Sequence, residues 1–438
     1  MTMTTTTALP TRETCTRKIQ SSRIGHHIVV AAIISILPTS AGAETIAIKG
    51  GRVYVEPNKV IDRATLVIRN GVVRSVGKNV AVPSGARVID ASGKIVTAGF
   101  IESSTALGLL EVSLESSTRE GSFGDSSQPI HAAYRVSDGY NATSVAIPVA
   151  RAQGVTSAVA VPRGGLVSGT SGWFSLADAM TPDVTVKAPL AMYASLGEAS
   201  LGSAQGSRGM AILRLRELLD DARTYSRQKP NYQRNQSRPF AAARLDLEAL
   251  IPVVQGRLPL VVRAHRSSDI LAALRLAGEF GLRVAIEGGT EAWMVAKELA
   301  RARIGVILNP AANLPQRFER TRVRDDAAKL LAEAGVAVAI SSIRGPMDVA
   351  TIRQLAGIAV ANGMAYEHAL AAVTSVPAAL FGVDRGTIGP GKAADIVIWS
   401  GDPFELSTRA EHVIIAGRVT STRNRQTLLL ERYRTLAR

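Results

Sequence analysis

Cysteine and histidine are scarce in this 438-residue chain, which holds one cysteine and six histidines. One cysteine excludes a disulfide framework, a thiolate zinc site and a cysteine-ligated iron–sulfur cluster. Six histidines leave little material for an imidazole-rich metal centre. Acidic side chains fall short of basic ones, 36 against 51, for a formal charge of +15. That balance permits an anionic partner without naming one. Apolar residues make up 46% and charged residues 20%, the proportions of a globular protein. The length accommodates one large α/β domain and a smaller companion.

The N-terminus carries Arg12, Arg17, Lys18 and Arg23 ahead of the apolar run Ile28–Leu37, which ends in Pro38-Thr-Ser-Ala-Gly-Ala43. A basic stretch, ten mostly apolar residues and a small-residue exit predict a secretory signal peptide over 1–43, cleaved after Ala43. The run is too short to span a bilayer. Cleavage removes four cations and Glu13, taking the charge from +15 to +12, and removes Cys15, His26 and His27. The mature chain is expected in the periplasm, with no membrane span.

From Glu44 the chain alternates β-rich runs with turn signals, among them Asn70-Gly71 between Ala64–Arg69 and Val72–Val76. Asn-Gly between two such runs predicts a tight hairpin. Beyond Phe100 short apolar runs, at Val155, Leu260, Val284, Ile304 and Val336, alternate with helical stretches at 268–280, 291–302 and 324–334. This rhythm predicts parallel strands with helical crossovers. After a helical pair at 348–381 the β pattern returns in Asp395–Trp399 and His412–Val419. The expected architecture is a (β/α)8 TIM-like barrel over 98–381. A small composite β-sandwich accompanies it, built from 44–97 and 382–422, because neither end alone supplies a two-layer core. Residues 222–243, with Arg223, Arg227, Lys229, Arg234 and Arg238 and with Arg244 just beyond, read as an exposed basic insertion. The tail 423–438 reads as a basic helix packed back on the body. No nucleic-acid motif emerges.

Three stretches together resemble the amidohydrolase superfamily, most closely its imidazolonepropionase-like branch: Val88–Glu102 after Gly71–Gly77, Ser268–Trp293, and above all Gly386-Thr-Ile-Gly-Pro-Gly-Lys-Ala-Ala-Asp-Ile-Val-Ile-Trp-Ser-Gly-Asp-Pro403. The resemblance covers nearly all of 45–420. It implies hydrolysis of non-peptide C–N bonds, in amides or imides, or of small peptides. The family holds one or two divalent metals, zinc or a similar ion, at the C-terminal mouth of the barrel. There a metal-bound water of lowered pKa attacks and a carboxylate moves its proton.

Residue by residue, the resemblance places the family's paired histidines at Ser104 and Ala106. Later ligands fall at Arg263 and Gly288, and an aspartate falls at Ile343 or an immediate neighbour. These side chains are poor donors to a metal, so no metal or other cofactor is expected unless the family chemistry is retained. His265 lies two residues past Arg263 on the same strand face and is a weak catalytic candidate with Arg263, Glu102 and Glu287. Arg263 is expected to supply the missing positive charge by pairing with Glu102 or Glu287. The loop Arg163–Gly172 is the most glycine-dense of the chain, and Arg163, Gly164, Gly165 and Ser168 are its candidate substrate contacts. It reads equally as a flexible lid without a ligand. Three functions stay open: a C–N hydrolase with a reduced metal site, a metal-free barrel that binds a small molecule or peptide, and a structural partner, either of itself or of an active relative.

Overall fold

The computed structural model describes residues 44–434 except 124–127, 203–205 and 344. The signal-peptide expectation therefore lies outside the described residues, as does the end of the tail. Five strands come first: β1 (Thr45–Glu56), β2 (Lys59–Arg69), β3 (Val72–Gly77), β4 (Arg87–Asp90) and β5 (Ile95–Ala98). Ten follow through the middle of the chain. These are β6 (Phe100–Thr105), β7 (Val155–Ala160), β8 (Val167–Thr170), β9 (Gly172–Ser175), β10 (Thr185–Lys187), β11 (Met192–Ser195), β12 (Leu260–Ala264), β13 (Val284–Gly288), β14 (Gly305–Leu308) and β15 (Val338–Ile340). The chain closes with β16 (Ile396–Trp399), β17 (Ala410–Ile415), β18 (Arg418–Val419) and a helix at Arg425–Tyr433.

Strands from both ends make one eight-stranded sheet in the order β18-β17-β16-β5-β1-β2-β3, with β4 also on β1. The ends meet where β16 runs antiparallel to β5, Ile396 opposite Ala98 and Trp399 opposite Ile95. Asn70 and Gly71 form the β2–β3 turn with φ of 56° and 76°, both left-handed as a two-residue hairpin turn requires. Register shifts around Gly51 in β1 move the apolar set from even to odd positions. Ile46, Ile48, Val53 and Val55 thus all enter one core with Leu66, Ile396 and Ile414.

The middle strands form a four-stranded sheet, β10-β9-β7-β6, and a six-stranded sheet, β15-β14-β13-β12-β11-β8. From β11 to β15 all pairings are parallel, and helices such as Ser267–Phe280, Ala296–Ala302 and Ala327–Glu333 cross between them. The result is a mixed α/β fold. The chain passes from one sheet to the other at Ser171, whose N–H and C=O both pair with the 190–191 backbone. At the other seam the Ser103 hydroxyl donates to the Ile340 carbonyl at 3.3 Å. Ile101, Val159, Trp173, Tyr193, Val261, Ala285, Ile307 and Ala339, from eight different strands, share one apolar cluster. Gly154 couples this region to the terminal sheet. A Cβ there would lie 2.2 Å from the Trp399 ring, and its φ is +85°.

Two expectations need correction. Residues 222–233 are the second half of a helix, Arg208–Gln233, rather than an insertion, although Arg227, Lys229, Arg234 and Arg238 are exposed as expected. Its Ala222 and Tyr225 are fully buried, and Tyr225, Tyr232 and Phe240 meet as an aromatic cluster with centroids 5.1–6.1 Å apart. The expectation weighed the cations and overlooked the aromatic spacing that buries this face. The C-terminal helix does form, capped by the Asn424 side chain, and it contacts the helix Ala146–Ala152, but its Leu428, Leu429, Leu430 and Tyr433 stay exposed.

Candidate functional site

In a parallel sheet the side chains and loops at the carboxyl ends of the strands converge, and here they carry the polar groups. Ser195, Arg263 and Glu287 are register neighbours on β11, β12 and β13, so their side chains leave the same sheet face. Glu287 is completely buried. Arg263 grips its carboxylate with two bonds, Nε to Oε1 at 3.1 Å and Nη2 to Oε2 at 3.2 Å. Arg163, arriving from the loop after β7, donates to Oε1 at 3.2 Å. The two guanidiniums also reach the hydroxyls of Ser195 and Ser104, each at 3.4 Å. Burial alone would raise the Glu287 carboxyl, but the two adjacent arginines outweigh it and hold the group near 2. The expected Arg263–carboxylate pairing is therefore present, with Glu287 as the partner.

Glu102 on β6 is equally buried but is served by neutral donors. The Ser341 hydroxyl and the backbone N–H groups of Ser342 (3.1 Å) and Ser104 (3.2 Å) point at its oxygens. Burial prevails over these bonds, and its carboxyl is pushed up. Glu102 thus ties the end of β6 to the end of β15.

His265 is held from both sides. Arg320 Nη2 donates to its Nε2 at 2.9 Å, and Nδ1 faces the Thr290 hydroxyl at 2.9 Å. A guanidinium can only donate, so Nε2 accepts and the proton sits on Nδ1. Burial and the charges of Arg320 and Arg263 lower its pKa to about 3. Gly288 is the residue this ring demands. A Cβ there would lie 2.5 Å from the imidazole, and its φ of +96° is itself unfavourable for a side chain.

The loop after β7 behaves differently from expectation. Arg163 reaches Glu287, but Gly164 and Gly165 press against the Phe123 and Pro129 carbonyls, where a Cβ would lie 2.1 and 2.7 Å away. The Ser168 hydroxyl is buried and donates to the Gly164 carbonyl at 2.8 Å. The N–H groups of Arg163, Leu166 and Val167 are spent on the Gly121 and Pro129 carbonyls. These glycines serve close packing against Phe123 and Pro129 rather than a ligand cradle. His131 stacks on Phe123 in the same layer, with ring centroids 4.3 Å apart.

Two cavities open beside this cluster and share Ile343 as a wall. One, about 310 Å³, is lined by His265, Gly288, Thr290, Asn309, Arg320 and Ser342. The other, about 350 Å³, is lined by Ala106, Arg163 and Gly345. Ile343 has φ of 50°, a costly conformation for a β-branched residue and one that clusters at functional sites. Arg320, Thr290, Ser195 and Ser341 were not singled out from sequence. Arg320 sits on a short turn at Phe318–Arg320 with no motif around it, and only the fold brings it to His265.

The donor chemistry bears directly on a metal. Ala106 and Gly288 offer no ligating atom, Arg263 is a cation bound to Glu287, and the Ser104 hydroxyl accepts from Arg163. Both nitrogens of His265 are engaged. Among the described residues no group of three or more His, Cys, Asp or Glu side chains is placed to hold a metal ion. These residues do not fit the divalent ion that the family resemblance implies.

Residues 295–421 match the family model described as the amidohydrolase family. Among solved structures, an amidohydrolase from Thermotoga maritima superposes with a TM-score of 0.79 at 28% identity, covering 86% of this chain and all of that one. A prolidase complexed with N-methylphosphonate-L-proline shares the fold, with a TM-score of 0.54 at 17% identity over 86% of this chain and 99% of its own. Among curated proteins, a dihydroorotase of Geobacter sulfurreducens is 46% identical over 56 residues, 13% of either chain. Human dihydropyrimidinase-related protein 5 is 43% identical over 60 residues, 14% of this chain and 10% of that one. The match thus spans only 13% and 10% of the lengths of these curated relatives. The chain thus carries the amidohydrolase family signature in its C-terminal third and resembles a solved amidohydrolase along most of its length.

Proposed function

We propose that this is an exported member of the superfamily, of its imidazolonepropionase-like branch, whose mouth binds a small molecule or peptide without a metal ion. The observation that carries the reading is the Arg263–Glu287–Arg163 triad. A buried carboxylate must be neutralised, and here two guanidiniums do what a divalent cation does elsewhere. The eight strands that feed one apolar cluster support the (β/α)8 barrel reading, with the 44–97 and 382–422 strands as its companion module. Export rests on the basic and apolar N-terminus. Mass spectrometry of the mature protein should find Glu44 as its first residue.

A second reading, metal-dependent hydrolysis of C–N bonds in amides, imides or small peptides, draws on the family match and the Thermotoga likeness. The two separate on a panel of dipeptides and cyclic imides assayed with added zinc and with chelator. The metal-free reading expects no turnover that zinc raises or chelator abolishes. Chelator-sensitive turnover would establish the hydrolase instead. A third reading, a homo-oligomer or the partner of an active relative, is tested by sizing the protein and by pull-down from periplasmic extract.

A further inference from the structure

Resting on the reading that the mouth holds a ligand rather than a metal, the chemistry of the His265 cavity defines the ligand class. Among its described lining residues the cations are Arg320 and Arg324, and Asp325 is the only carboxylate. Arg324 is already clasped by Asp326 through two bonds of 2.7 and 2.8 Å, and Asp325 accepts from Asn313 at 2.8 Å. Arg320 has no carboxylate within 4 Å among the described residues. The neighbouring Glu319 is turned away, accepting from the Glu198 N–H at 2.7 Å and facing Arg208. The hydrogen bond of Arg320 to His265 goes to a neutral ring, and Glu319 and Glu198 act on its charge only from beyond ion-pair distance.

Two lining residues carry polar atoms that are shut off from solvent and lack any partner in the protein, the Nε–H of Arg320 and the hydroxyl of Ser342. Ser342 is 1% exposed. Its backbone is pinned from both sides, the N–H on Glu102 and the carbonyl accepting from Asn309 at 2.7 Å, while its hydroxyl lies near the Glu102 carboxylate without a well-formed hydrogen bond. Buried donors without acceptors are costly, and a ligand acceptor removes that cost. The rest of the wall is apolar, with Leu308, Val323 and Ala328 among its residues.

We propose that the cavity beside His265 binds a small monocarboxylate with an apolar body, its carboxylate on Arg320 and Ser342 and its body against Leu308, Val323 and Ala328. An arginine with no ion pair and an unpartnered Nε–H calls for an anionic acceptor, and a guanidinium matches a carboxylate in both geometry and sign.

The probe is 3-phenylpropanoate, with its primary amide as the uncharged control, titrated calorimetrically into the mature chain. The acid should bind at least about tenfold more tightly than the amide, the loss expected on removing a charge-assisted hydrogen bond. Arg320→Met should weaken the acid by about tenfold or more and leave the amide unchanged. Ser342→Ala, which removes no well-formed hydrogen bond, should weaken the acid several-fold while the fold stays intact. Val323→Trp should fill the cavity and block both. Equal binding of acid and amide, an Arg320→Met variant that keeps the acid affinity, or no binding of the acid at millimolar concentration would each overturn the proposal. Metal content measured on the same samples separates the two levels. A zinc-loaded protein that binds the acid through Arg320 defeats the metal-free reading alone, and a metal-free protein indifferent to the acid defeats this one alone.

Discussion

Replacing Glu287 with glutamine keeps the shape of the side chain and removes its charge, leaving Arg163 and Arg263 facing each other. Their side chains are 26% and 12% exposed, so water relieves only part of the repulsion. Removing one partner of a buried pair costs about 3–5 kcal/mol. A carboxyl lowered from 4.5 to about 2 on folding corresponds to roughly 3 kcal/mol by proton linkage, at the lower end of that range. Because the folded pKa is depressed, this stability is fully present above pH 4.5 and is lost as pH falls through 2. Urea unfolding at pH 7 should therefore place Glu287→Gln about 3 kcal/mol below the parent chain, and the gap should narrow as pH falls from 4.5 towards 2. A variant within about 0.5 kcal/mol of the parent at pH 7 would show that Glu287 is not the ionised hub of the site.

Three further outcomes follow from the same structure. His265 should remain neutral at pH 5, read from its ring resonances, because its pKa is depressed to about 3. Its unfolded form takes up a proton below about pH 6.5, so the parent should lose stability from there down to pH 3 and His265→Gln should flatten that loss. Gly154→Ala should cost about 3 kcal/mol or more, since the added Cβ meets the Trp399 ring at a left-handed backbone position; thermal unfolding within a degree of the parent would contradict the coupling drawn there. Arg353, buried and donating to the carbonyls of Pro403, Glu405 and Leu406, should on replacement by alanine cost about 2 kcal/mol and speed proteolysis within 403–406.

The sequence was most readable where local chemistry decides the outcome. Asn70-Gly71 has one good use between two strands, and the run from Gly386 to Pro403 pairs the chain's two ends through β16 and β5. It was least readable where a contact joins distant segments. Arg163 and Glu287 stand 124 residues apart and Glu102 and Ser341 stand 239 apart, and no local pattern pairs them. The glycines of 163–172 carried a real signal, close backbone approach, but not which of two partners approaches, a ligand or the carbonyls of Phe123 and Pro129. Strand β11, Met192–Ser195, had an apolar run that the strand–helix rhythm skipped. Missing it hid Ser195, the neighbour of Arg263. Arg320 had no signal at all, because its role depends on the turn that sets it against His265.

Elemental analysis of the protein, purified without chelator and then dialysed against zinc, tests the central claim most directly. The account predicts substoichiometric zinc, manganese and iron before and after dialysis, because Arg263, Gly288, Ala106 and Ile343 leave His265 without companions. One or two tightly held equivalents per chain, removed only by chelator, would contradict it.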